Sequence, residues 1–247
     1  MLIAILNQSN GAVADADVAT MEAAITRQIQ AVASAWNREA ATVTFYSDAG
    51  AVPAGAYGVA IVPTIDGQPA GVVGYHAENW GLVAAQPILA NAQTLTGDWS
   101  VSSTLSHEVL EMFIDPACNL WADNGQGTCY SLEVCDPVEA PTYPDPVNGV
   151  SVSNFVFPSW FDPQGTAPFD KQRQVTAPFT IAAGGYANYV RGGQFTNAAG
   201  GYENYVHGGQ MQQQFGTTYP GWRKTMKSPP TAGRMARSQR LLALWHT

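Results

Sequence analysis

The chain has 247 residues, 46% of them hydrophobic and only 12% charged, with 24 glycines and 16 prolines. That is long enough for a substantial core and too weakly charged for a disordered polyampholyte; it reads as a folded, turn-rich chain. The net charge of −8 is unevenly spread: residues 1–222 hold five basic and nineteen acidic side chains, whereas residues 223–247 hold six basic and no acidic ones. A basic tail can dock on nucleic acid or on an acidic protein surface, but no nucleic-acid reading motif accompanies it, so a protein neighbour is the expectation.

"MLIAILNQSN" lacks a positive n-region, and its apolar run is too short for a secretory signal or a membrane span, so the expected location is cytoplasmic or within a particle such as a virion. The run 2–7 reads as a buried strand. Asp15 and Asp17 offer caps, and Met21, Ile25, Ile29, Val32 and Trp36 recur at helical spacing, which predicts a helix over 18–36. Strands are expected at 42–47, 57–65 and 69–77, the last glycine-rich and suited to a sheet edge. A helix is expected over 82–95, with Pro87 near its start. Another, capped by Asp98 or Ser100, carries "TLSHEVLEMFIDP" and ends before Pro116. The order is β-α-β-β-β-α-α.

The chemistry concentrates in that last helix. His107 and Glu111 stand at i and i+4, on one face, with Glu108 beside them. This is the geometry of H-E-x-x-H, in which two ligands hold zinc and the intervening glutamate polarises a water. Here a glutamate occupies the second ligand position. It lowers the net charge of the site by one and moves the preference from zinc toward harder ions such as manganese or calcium. Asp115 shares the stripe but lies ~12 Å along the axis from His107, too far to join it on a straight helix, so it reads as a cap or an outer partner. Glu133 and Asp136 in "CYSLEVCDPVE" are the downstream candidates: Glu133 as third ligand, Asp136 as its outer partner or substitute. His76 in "GYHAENW" could face the metal from the edge strand or hold a structural hydrogen bond. Were the stripe solvent-facing, the acidic spacing would be an ordinary helix surface. Cys118, Cys129 and Cys135 read as reduced thiols, with a Cys118–Cys129 bridge or a place near a metal left open.

These motifs resemble the zincin metallopeptidases, and "LEVCD" resembles the downstream glutamate–aspartate segment of their gluzincin branch, although Pro137 cuts this one short. The S-H-E-x-L-E-x-x-x-D-P core, the later E-x-x-D-P and "SNFVFPSWF" are also similar to a set of bacterial and phage proteins without assigned activity, over roughly residues 57–195. The resemblance implies an α+β, zincin-like mixed sheet with a metal-bearing helix. It further implies an edge strand above the metal that aligns a peptide. On that reading residues 1–180 form the zincin-like domain. His107, Glu111 and Glu133 hold a divalent metal, zinc first, and Glu108 is the general base of a metal-dependent hydrolase acting on a peptide or protein.

Residues 181–215 depart from that pattern. "AAGGYANYVRGGQFTN" is followed at once by "AAGGYENYVHGGQMQQ", a tandem 16-residue repeat whose paired glycines suggest two β-hairpins or ribbon arms. Tyr186, Tyr189, Tyr202 and Tyr205 could form a binding surface or pack on the body. His207 replaces Arg191 of the first copy and reads as a surface residue. Residues 216–247 form the basic tail, with a short helix expected over 233–245. The repeat and tail support an alternative function: a structural component of a multi-subunit assembly such as a phage virion, its ion non-catalytic, with protein partners meeting residues 182–247.

Overall fold

The structure is a computed structural model of the chain, describing residues 1–68, 71–191, 194–197, 204–207 and 210–215. The expected helix over 233–245 and the basic tail lie outside the described residues. Strand β1 (Leu2–Asn7) buries four consecutive residues, Ile3 to Leu6, as a strand covered on both faces must. Helix α1 (Asp15–Ala35) buries Val18, Met21, Ile25, Ile29 and Val32 along one stripe. Its N-cap is Ala14, and no side chain caps it. Asp15 instead accepts a 2.6 Å hydrogen bond from Asn7 Nδ2, while Asp15 and Asp17 place negative charge in the first turn, at the positive end of the helix dipole.

Strands β2 (Thr42–Tyr46), β3 (Tyr57–Val62), β4 (Gly74–Ala77) and β5 (Trp80–Ala84) complete a five-stranded sheet of order β2-β1-β3-β5-β4. β1 runs parallel to β2 and β3, and β3 parallel to β5. β4 alone runs antiparallel, at the edge. The fold is thus mixed α+β, and "GYH" does form an edge strand, shorter than the expected 69–77. The expected helix over 82–95 is a correction: residues 82–84 belong to β5, and the helix that follows, α2, covers only Ala85–Leu89. "WGLVAA" is a short apolar run without helical period, and such a run suits a buried strand equally well.

Helix α3 (Val101–Ile114) carries the H-E pair, and every one of its fourteen residues is buried. Ser100 is its cap, accepting from Ser103 N at 3.2 Å. Asp98, the other candidate, accepts instead from the backbone and hydroxyl of Thr142. At the far end Arg38 donates to Ile114 O at 2.6 Å, a cation at the negative helix terminus. α3 packs against the sheet through β3, β4 and β5, against α1, and against β9 (Ser151–Val152), which pairs with β8 (Tyr143–Pro144). Ser106 lets the "SNF" segment approach closely, accepting from Ser153 N at 2.7 Å.

A second, six-stranded sheet is formed by β6 (Trp121–Asp123), β7 (Thr128–Ser131), β10 (Tyr186–Arg191), β11 (Gln194–Asn197), β12 (Asn204–His207) and β13 (Gln210–Phe215). β10 pairs with β13 and β11 with β12, from Tyr186↔Phe215 to Asn197↔Asn204 in one continuous register. Each repeat copy therefore supplies one arm of a ribbon, where two β-hairpins or ribbon arms were the expectation. Tyr186 is buried, and Tyr189 lies 5.8 Å from the Tyr130 ring; Tyr202 lies outside the described residues, and the backbone of Tyr205 and His207 lies in β12. All three cysteines are free, so no Cys118–Cys129 bridge forms. Among the described residues no helix is long and apolar enough to cross a membrane.

Away from the H-E helix, one ion pair ties α1 to the loop after β8. Arg27 donates to both carboxylate oxygens of Asp145, at 2.9 and 2.6 Å. The guanidinium holds the Asp145 carboxyl below its ordinary range, against the opposing effect of burial. Because the folded-state value is the lower one, this stabilisation is present above the unfolded value of about 3.9 and is lost as pH falls through the folded value. In acid-denaturation curves, Asp145→Asn should be less stable than the wild type near neutrality. The gap between the two should close as pH is lowered from about 5 to about 2.

Candidate metal centre

Four segments converge on one face of α3. From the helix itself come His107, Glu108 and Glu111, and from the edge strand β4 comes His76. The turn after β7 brings Glu133 and Cys135, and the short 3₁₀ turn Asp136–Val138 brings Asp136. His76, Glu108 and Glu111 are all at most 2% exposed, and Asp136 is fully buried. The H-E-x-x-E stripe is thus not a solvent-facing acidic surface, the alternative that its sequence left open.

The edge strand can reach the helix because of Gly74. Gly74 and His76 are two apart on β4 and so face the same way. A Cβ at position 74 would stand 2.7 Å from both Glu108 Oε1 and Thr104 Cγ2. Across the pairing His76↔Gly81, a Cβ on Gly81 would come within 3.2 Å of His76 Cβ. Two glycines therefore let a full-sized imidazole lie between the sheet edge and the helix.

Glu111 stands at the middle. Its Oε1 lies 3.2 Å from His107 Nε2 and accepts from Cys135 N at 3.3 Å. Its Oε2 lies 3.5 Å from His76 Nδ1. The same His76 nitrogen is 3.5 Å from Glu108 Oε2, and His76 Nε2 is 3.9 Å from Glu133 Oε2. His107 Nε2 also lies 3.1 Å from Asp136 Oδ1. Donor atoms bound at zinc distances in a tetrahedron stand about 3.3 Å apart, so these groups are spaced closely enough to share an ion as well as to hydrogen-bond one another. Among the described residues, two groups of donor atoms lie close enough to share an ion: His107, Glu111 and Cys135, and His76, Glu111 and Glu133.

The expected set of His107, Glu111 and Glu133 is thereby divided. Glu133 gathers with Glu111 and His76, not with His107, because the turn delivers it to the β4 side of the helix. His76, expected as an outer partner or alternative ligand, has donor atoms close enough to Glu111 and Glu133 to share an ion with them. Asp136, expected as the outer partner or substitute of Glu133, instead contacts His107. Asp115 joins neither group: its carboxylate accepts from Asn119 N at 3.1 Å and Leu120 N at 2.8 Å, closing the turn after α3, and burial pushes its pKa up. Cys135 is the donor that sequence reasoning did not single out; only the crowding of three thiols after the H-E helix pointed toward it.

A small cleft, partly open to solvent, touches the centre on one side, lined among others by Gly74, His107, Glu108, Glu139 and Tyr186. Glu108 and His107 thus belong both to the buried cluster and to the cleft wall.

Burial acts to lower the His107 pKa, but the charges of Glu111 and Glu108 and the hydrogen bonds to Asp136 and Glu111 more than offset it and hold the imidazole well above its ordinary range. Metal-free, the ring carries a proton that a ligated ion must displace. Two measurements check this. Calorimetric zinc titrations in buffers of different ionisation enthalpy should reveal proton release, and apparent affinity should rise between about pH 6 and about pH 8; buffer-independent heats would contradict it. Gly74→Ala should cost about 1–3 kcal/mol in urea unfolding, because the new methyl meets the Glu108 carboxylate and Thr104.

No family model matches the chain, and neither does any curated protein or solved structure; the chemistry of the centre follows from its own residues.

Proposed function

We propose that this chain is a metal-dependent hydrolase of the peptidase type, with a zincin-like arrangement of edge strand and H-E helix. The observation that carries the reading is the placement of Glu108. Its carboxylate borders the buried His/Glu cluster, 3.5 Å from His76, and also lines the open cleft. Buried carboxylates at ligand spacing around two histidines fit a divalent cation, since such a cluster is otherwise costly to remove from water. A bound divalent ion supplies Lewis acidity, polarising a scissile carbonyl and acidifying water.

The chain's own residues would do the rest. His107 and Glu111, one helical turn apart, fix the donor geometry on a rigid, wholly buried helix. Asp136 holds the His107 ring in place through Nε2 in the metal-free state. Glu108 takes a proton from a water in the cleft and returns it to the leaving amine. β4, at the sheet edge beside the cleft, offers its backbone to an extended substrate strand.

A second reading is favoured by the closure of the cluster. Glu111 and Asp136 are fully buried and His76 is 1% exposed, and closed shells are typical of structural ions, whereas catalytic ones keep an open position. On that reading the ion stabilises a component of a larger assembly such as a virion.

Turnover separates the two. With generic peptide substrates, the zinc-loaded wild type should hydrolyse, chelation should abolish turnover, and Glu108→Gln should reduce it by roughly 10²–10⁴-fold while metal content is unchanged. Turnover that survives both chelation and Glu108→Gln would sink the hydrolase reading. A metal that raises the melting temperature with no hydrolysis in any state would favour the structural one.

A further inference from the structure

Glu111 belongs to both donor groups, and its two oxygens face different histidines: Oε1 lies 3.2 Å from His107 Nε2 and Oε2 lies 3.5 Å from His76 Nδ1. A carboxylate can present each oxygen to a different cation. The histidine usual at this point of H-E-x-x-H cannot, because a neutral imidazole has a single acceptor nitrogen. We propose that the centre takes two divalent cations, with the Glu111 carboxylate bridging them. This rests on the divalent-ion reading above and extends it. One position uses His107, Glu111 Oε1 and Cys135, with Asp136 beside His107; the other uses His76, Glu111 Oε2 and Glu133.

Charge favours two ions over one. Glu108, Glu111, Glu133 and Asp136 crowd around His76 and His107, and of these only Glu133 exceeds a tenth exposure, its side chain at 12%. With Cys135 bound as thiolate the four carboxylates and the sulfur bring up to five negative charges; two divalent cations offset four of them, whereas a single one leaves three, which is strongly unfavourable in a buried cluster. Paired cations bridged in this manner are a recurrent arrangement in hydrolases, where the two metals stand ~3.5–4 Å apart. The two positions also differ in softness: the thiol-bearing one prefers zinc or cobalt and the all-nitrogen-and-oxygen one takes manganese more readily, so excess manganese is needed to fill both.

The test uses the full chain. After loading with zinc and exhaustive dialysis, elemental analysis should give two zinc ions per chain. One ion per chain overturns the proposal and leaves the hydrolase reading standing; no ion overturns both. His76→Ala and His107→Ala should each reduce the content from two to one, and a variant series in which one of them removes both ions while the other removes none points to a single site and overturns it. Cobalt substitution reads the positions separately. A thiolate-to-cobalt charge-transfer band should appear in the wild type, persist in His76→Ala, and vanish in Cys135→Ser and His107→Ala. Manganese loading should give a spin-coupled paramagnetic resonance signal that Glu111→Gln abolishes, with circular dichroism checking that the variant is folded. The wild-type stoichiometry and the wild-type manganese signal need no variant, so a variant that fails to fold leaves the decision with them; an uncoupled manganese signal from a wild type holding two ions overturns the bridge.

Discussion

The burial of α3 on all sides is the constraint from which the rest follows. A helix with carboxylates at 108 and 111 would ordinarily turn them to solvent. Here the sheet, α1 and the β8–β9 segment enclose it, so each charge must be answered inside the protein. The answers come from separate parts of the chain: an imidazole from β4, a second one a turn away on α3, and the turn that follows β7. Each is held by a small local device. Gly74 and Gly81 open room for His76, Ser106 admits the "SNF" segment, and Asp115 ties down the turn that leaves the helix.

Where the deciding interaction is local, the sequence was legible. The stripe of α1, the Ser100 cap and the shared face of His107 and Glu111 all follow from spacings of three or four residues. The β5–α2 boundary was not legible, because "WGLVAA" is short and uniformly apolar, and only its pairing with β3 makes its first part a strand. The partnership of His76 with Glu111 and Glu133 was equally hidden: it depends on strand register across the sheet edge and on a turn 57 residues later, neither of which has a local signal. The same holds for Cys135, whose place beside Glu111 is set by the 3₁₀ turn that Pro137 begins to shape.

The repeat illustrates a different limit. Two near-identical copies make pairing within a copy and pairing between copies indistinguishable by composition, since each strand meets the same side-chain types either way. The observed register chooses pairing between copies, and β10 then joins β7, so the first copy is drawn into the body of the protein through Tyr186 and Ala187. The internal duplication thus extends the sheet of β6 and β7, and Val190 of the first copy packs with Trp121 and Cys129 in a small cluster of its own.

The exchange of histidine for glutamate at 111 acquires a physical sense in this setting. At a site that holds one ion, the change only weakens the Lewis acid. In a cluster with histidines on both sides it does something a histidine cannot: it presents donor oxygens toward two separate nitrogens while adding a negative charge that a second cation can neutralise. Glu108 then stands apart from the bridge. It borders the cluster through His76 and opens on the cleft, where a carboxylate can exchange protons with water. On the two-cation reading, burial divides the labour between two glutamates three residues apart: the fully enclosed one would fix the cations, and the one at the cleft wall would be left for the proton.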